Sequence, residues 1–164
     1  MSKITPCLWY DGKAKEAAEF YVTLFPDSRI DNVVRSPADT PSGPEGYEMV
    51  VEFTLAGQPY IGLNGGSQFH FTEAVSFQVR TADQAETDRL WDALIANGGE
   101  ESVCGWLKDR WGLSWQITPQ RLLDLMADPD RARAKRVMEA MMKMHKIDIA
   151  ALEAAASEEA IAVA

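Results

Sequence analysis

Between Ile4 and Thr118 one pattern of strand, helix and further strands is written twice, and this repeat constrains the fold more than any other feature. In the first copy Ile4 to Tyr10 reads as a short strand. Asp11 is placed to cap a following helix in which Ala17, Phe20, Tyr21 and Leu24 recur at helical spacing. Phe25-Pro26-Asp27-Ser28 ends that helix, and strands are expected over Arg29 to Arg35, over the alternating run Met49, Val51, Phe53, Leu55, and over Tyr60 to Asn64. The second copy starts at Ala74, with Val75, Phe77 and Val79 on a strand. A helix follows, opened by Thr81-Ala82-Asp83-Gln84 and closed by Gly98-Gly99, then strands over Glu101 to Asp109 and Leu113 to Thr118. Neither copy can bury its sheet alone. The expected fold is therefore α+β, with duplicated βαβββ modules at 4–66 and 74–118 curling into a half-open, barrel-like cup within a single domain of 1–164.

After Pro119 the composition turns to helix formers, which predicts a helical C-terminal extension over 119–160. Asp128-Pro129 supplies a cap and a proline for the first helical position. Val137, Met138, Met141, Met142 and Met144 form an apolar stripe suited to covering the body or a dimer mate, and Asp148 can cap a last helix through Ala156.

Alternation sorts the strands into two faces. Leu8, Val51, Phe53, Leu55, Ile61, Leu63, Phe77, Val79, Trp115 and Ile117 form an apolar face that packs beneath the helices. The other face collects Cys7, Trp9, Glu52, Gly62, Asn64, Ser76, Gln78, Cys104, Trp106, Lys108, Ser114 and Gln116. Such a mixed face either meets solvent or lines a small-molecule pocket, for which Cys7, Trp9, Glu52, Asn64, Gln78, Cys104, Trp106 and Gln116 are the candidate ligand contacts. Glu52 and Gln116 offer two oxygens to a hard cation, short of a full ligand set. Cys104 is either a buried thiol or, if Lys108 stands near it, a nucleophile. Asn64-Gly65-Gly66 is a plain turn or a place where a ligand approaches the backbone closely.

The net charge of -9 repels a phosphate backbone, and no basic stripe compensates for it, so nucleic acid is not an expected partner. No run of eighteen apolar residues and no signal-peptide pattern occur, and a cytoplasmic location away from membranes follows as the expectation. Cys7 and Cys104 are then free thiols. The two histidines, His70 and His145, have no zinc-site spacing around them, so the cofactor is left unknown by the sequence and any metal site would lean on carboxylates and amides.

Leu8-Trp9-Tyr10-Asp11-Gly12, Glu16 to Tyr21, Phe25-Pro26-Asp27-Ser28, Gly62 to Gly66 and, above all, CGWLKDRWGLSWQITP from Cys104 to Pro119 resemble PhnB-like proteins. These carry the family name 3-demethylubiquinone-9 3-methyltransferase and belong to the vicinal oxygen chelate superfamily, with glyoxalase I, bleomycin-resistance proteins and extradiol dioxygenases. The resemblance implies paired βαβββ modules, commonly in homodimers, around a small-molecule ligand. It also implies a metal triad of His, Glu or Gln on the inner strands. Gln116 stands at one ligand position, while Thr5, Pro6 or Cys7, Ile61 or Gly62, and Val75 or Ser76 stand at the others, so the usual metal site is expected to be missing. No glycine-rich loop joins a strand to a helix as an S-adenosylmethionine site of Rossmann type requires. The expected function is small-molecule binding. A superfamily enzyme using a divalent metal or the Cys104 thiol, and a methyltransferase, are the alternatives.

Overall fold

A computed structural model describes residues 3–157. The chain divides into two compact units, one running to Phe71 and the other starting at Thr72. In the first unit β1 (Cys7–Tyr10), α1 (Ala14–Tyr21), β2 (Arg29–Arg35), β3 (Glu48–Leu55) and β4 (Gln58–Asn64) follow in chain order. The strands form an open mixed sheet in the order β1-β4-β3-β2, with β1 parallel to β4 and the other pairs antiparallel. The helix lies on one face. Its alanines Ala14, Ala17 and Ala18 are fully buried and bring the helix close to the sheet, over Leu8, Tyr10, Val51 and Phe53. The approach is close enough that a Cβ at Gly62 would stand 3.0 Å from that of Ala14.

That approach corrects the sorting of β4. Leu8 pairs with Gly62 and Tyr10 with Asn64, while Val51 also faces Gly62, so Gly62 and Asn64 lie on the helix face. Ile61 and Leu63 share the opposite face with Cys7, Trp9 and Glu52. The cap of α1 differs as well. Asp11 does not supply it; the Asn64 Oδ1 accepts the Ala14 N–H at 2.9 Å, from the far end of the unit.

In the second unit β5 (Ser76–Thr81), α2 (Gln84–Ile95), β6 (Glu100–Glu101), β7 (Trp106–Lys108) and β8 (Ser114–Pro119) repeat the arrangement, completing a second βαβββ motif with sheet order β5-β8-β7-β6. The capping box lies two residues beyond the one that Thr81 and Gln84 predict: Asp83 caps α2 by accepting from the Glu86 N–H, and the Glu86 carboxylate accepts in return from the Ala82 N–H, while Thr81 ends β5. Leu90, Trp91, Leu94, Leu107, Trp115 and Ile117 make the core between helix and sheet. The long strand expected from Glu101 to Asp109 is broken: residues 103–105 form a turn with Cys104 at φ 61° and Gly105 at φ 80°.

Helices α3 (Gln120–Met126), α4 (Arg131–Met141) and α5 (Ile149–Ser157) form the extension, which belongs to the second unit. Helix α4 begins two residues later than the proline implies, and Asp130 caps it while Asp128 holds the preceding loop through the Asp130 N–H. Asp148 caps α5 as expected. Leu122, Leu125, Val137, Ile147, Leu152 and Ala156 are its core, with Met141 and Met144 packed against them; Met138 and Met142 remain exposed. No helix of the described residues is long and apolar enough to cross a membrane.

Candidate functional site

The second unit carries the better-formed candidate surface. Register sets Gln78 beside Gln116 and Gln116 beside Trp106; the adjacent row is Ser76, Ser114, Lys108 and Glu100. All point away from the face that α2 covers, because Phe77, Trp115 and Leu107 alternate with them. The Gln116 amide donates to the Ser76 hydroxyl at 2.8 Å, which fixes that amide's orientation. Lys108 is paired with Glu73, whose hydrogen bond and charge hold the ammonium above its ordinary pKa and the carboxyl below its own. A cavity of about 180 Å³ opens beside this row, lined by Trp106, Lys108, Ser114, Glu73 and Glu100 among others.

Below the row, the Asp109-Arg110-Trp111-Gly112 turn is built around one carboxylate. Asp109 is buried, and it accepts from the backbone N–H of Trp111 and Leu113 and from the Trp115 indole. Glycine at 112, with φ 85°, lets the chain reverse there. The turn therefore sets where β8 begins and which of its residues face the cavity.

Cys104 is not part of that surface row. It sits in the turn before β7, and its N–H donates to the Met144 carbonyl at 2.8 Å while that of Gly105 donates to His145. Lys108, the cation expected to favour its thiolate, is engaged by Glu73.

In the first unit the row Cys7, Ile61, Glu52 and Asn32 crosses the open face, with Trp9 and Leu63 in the next. Glu52 is exposed and accepts from the Asn32 amide at 3.2 Å. Cys7 is exposed as a residue, yet desolvation raises its thiol pKa, which disfavours the nucleophilic thiolate. Trp9 is half-buried: its indole donates to the Gly66 carbonyl at 2.7 Å and meets Phe69 edge-on. Asn64 is occupied on both sides of its amide, by the Ala14 N–H and by the Glu48 carbonyl, and belongs to the framework of the unit. Pleat and polarity pointed to Ser114 and Lys108 in the sequence. Glu73 and Glu100 carried no such signal, since one lies in a loop and the other on a two-residue edge strand.

Neither a metal ion nor S-adenosylmethionine, the two groups the resemblance implies, matches these contacts. Among the described residues no three or more His, Cys, Asp or Glu side chains gather closely enough to hold a metal ion, and the Gln116 amide nitrogen is bound to Ser76. The glycines after β4 form no cradle for S-adenosylmethionine. A Cβ at Gly65 would stand 2.3 Å from the Trp9 ring, so the close approach there is to an indole of the chain itself, and the segment leads into a loop rather than a helix.

The repeated βαβββ unit, each copy with an open mixed sheet, defines an α+β protein of duplicated modules. Residues 2–118 match the model of the 3-demethylubiquinone-9 3-methyltransferase family, and the chain belongs to that PhnB-like family. Among solved structures, the PhnB protein from Bacillus cereus is 34% identical over 72% of this chain and 99% of its own, with a TM-score of 0.65. A Pseudomonas aeruginosa protein shares the fold at 18% identity, over 73% of this chain and 98% of its own, with a TM-score of 0.59. No curated protein matches the chain.

Proposed function

We propose that this chain is a small-molecule-binding member of the superfamily, holding its ligand on the face of the second sheet that carries Gln78, Trp106 and Gln116. One observation carries the reading: an oriented amide, an aromatic side chain and two serine hydroxyls stand in adjacent register rows on a face not used by α2. Few, fixed polar groups beside an aromatic surface are what orient a small ligand. Binding needs neither a metal nor an activated thiol. A homodimer is the setting that the family resemblance implies.

The test is a thermal-shift and tryptophan-fluorescence screen against a broad metabolite library, with S-adenosylmethionine and EDTA as separate arms. A hit is expected to quench tryptophan emission saturably, and Gln116→Ala is expected to weaken it about tenfold, equivalent to about 1.4 kcal/mol, with no loss of folding. A library without a single saturable response refutes the reading. Binding of S-adenosylmethionine, or loss of ligand binding in EDTA, replaces it with the methyltransferase or the metal enzyme.

A further inference from the structure

Ser114 is 1% exposed, and its hydroxyl is one of few buried polar atoms among the described residues with no hydrogen-bond partner. A buried hydroxyl normally finds one, because losing water without replacement costs free energy. Its neighbour in the same register row, Ser76, is satisfied by Gln116. Ser114 instead forms part of the wall of the 180 Å³ cavity, together with Lys108, Trp106, Glu73, Glu100 and Glu101.

The charges around that hydroxyl decide what can bind. Two carboxylates, Glu73 and Glu100, act on the one ammonium, which is already taken by Glu73; Glu101, opposite Leu107 in register, lies on the α2 side of the sheet. Glu101 accepts from the Trp91 indole at 3.0 Å and has His145 Nδ1 at 3.8 Å. Glu100 contributes its field to Lys108 without an ion pair of its own among the described residues. An anion entering here would meet a carboxylate excess and would have to displace Glu73 from Lys108. A bare metal ion finds no group of three acidic, Cys or His ligands. An organic ammonium meets neither obstacle. Its N–H groups can donate to the Ser114 Oγ and to Glu100, and the Trp106 ring can take its alkyl part or its charge.

We propose that this cavity is a subsite for the primary ammonium group of a small amine, with Ser114 and Glu100 as its hydrogen-bond acceptors. The assignment rests on the reading of this sheet face as ligand-binding and adds the chemical class of the group held at its edge. The cavity volume limits the part of the ligand held here to a short aliphatic amine or an aminoalkyl arm.

The experiment is a titration of the ¹⁵N-labelled protein with 1,3-diaminopropane, and separately with propanol, propionate and magnesium, read from the backbone amides of Trp106 and Ser114. The amine is expected to shift both amides saturably, and propanol and propionate to leave them in place. Ser114→Ala is expected to weaken amine binding at least fivefold without lowering the melting temperature, because the hydroxyl it removes has no partner in the fold. Glu100→Gln, an exposed edge-strand change, is expected to weaken it similarly. Saturable shifts from propionate, propanol or magnesium in place of the amine overturn the amine assignment while leaving a ligand-binding face. Amine shifts unaltered by both substitutions overturn the subsite, and the library screen then stands as the separate measure of the broader reading.

Discussion

At the scale of single residues, Trp9 and Gly65 show how a motif that looks made for a ligand can serve the fold. The indole lies on the glycine and donates to the next carbonyl, so the loop after β4 is folded back onto β1. Gly65→Ala forces a methyl to 2.3 Å from the ring and is expected to cost about 1–3 kcal/mol. Urea unfolding measures that cost, and a ring that swings away is seen as a shift in tryptophan emission. Asn64 plays a comparable part with polar atoms. Replacing it with alanine leaves the Ala14 N–H and the Glu48 carbonyl without their buried partner, and a loss of about 2 kcal/mol is expected in the same measurement. Both residues were legible in the sequence as special positions. Their roles were not, because their partners lie more than ten residues away along the chain.

At the scale of elements, the hairpin of β6 and β7 depends on the extension that follows it. The N–H groups of Cys104 and Gly105 donate to Met144 and His145, and Ile147 packs where a Cβ of residue 105 would stand. Helix α2 grips the same segment, since the Gln84 side chain donates to the Ile147 carbonyl and accepts from the Ile149 N–H. Lys146 adds ion pairs to Asp88 and Asp92. The Lys146 hydrogen bond, followed by that of Gln84, holds the Asp88 carboxyl below its ordinary pKa of 3.8. A carboxyl whose folded-state pKa is depressed stabilises fully above its unfolded value, and the contribution disappears as pH falls through the lower folded value. Wild type is therefore expected to be more stable than Asp88→Asn at about pH 6, and the gap is expected to close at about pH 2. Urea midpoints of the two proteins at both pH values decide it. A gap that persists in acid assigns the effect to the amide substitution itself.

At the scale of the whole molecule, the family match ends at residue 118, but the second unit does not end there. Its extension has its own core around Val137, Ile147 and Leu152, and Arg136 closes α5 by donating to the Ala155 and Ala156 carbonyls. A chain stopped at Pro119 exposes the other side of Gly105 and leaves the two turn N–H groups without their carbonyl partners. Such a truncation is expected to lower the melting temperature by about 5 °C or more, as a loss of a few kcal/mol implies for a unit of this size. Differential scanning calorimetry of the full and shortened chains measures it. An unchanged transition would mean that the extension folds as an independent appendage.

The sequence by itself determined the repeat, the order of elements and the pleat parity within each strand, because period and turn chemistry are local properties. Strand β2 has the expected boundaries, and the second module's polar row of Ser76, Gln78, Trp106, Lys108, Ser114 and Gln116 emerged from alternation alone. Only the tertiary structure decided which parity class of one strand shares a face with which class of its neighbour. In β4 alternation and polarity predict the apolar Ile61 and Leu63 in the core, yet register and the close approach of an alanine-lined helix put Gly62 and Asn64 there. It also decided that Cys104 leaves the strand for a turn, through a left-handed backbone supported by carbonyls some forty residues later in the chain. Register and turn support are set by partners distant in sequence, so their outcome is a property of the packed chain.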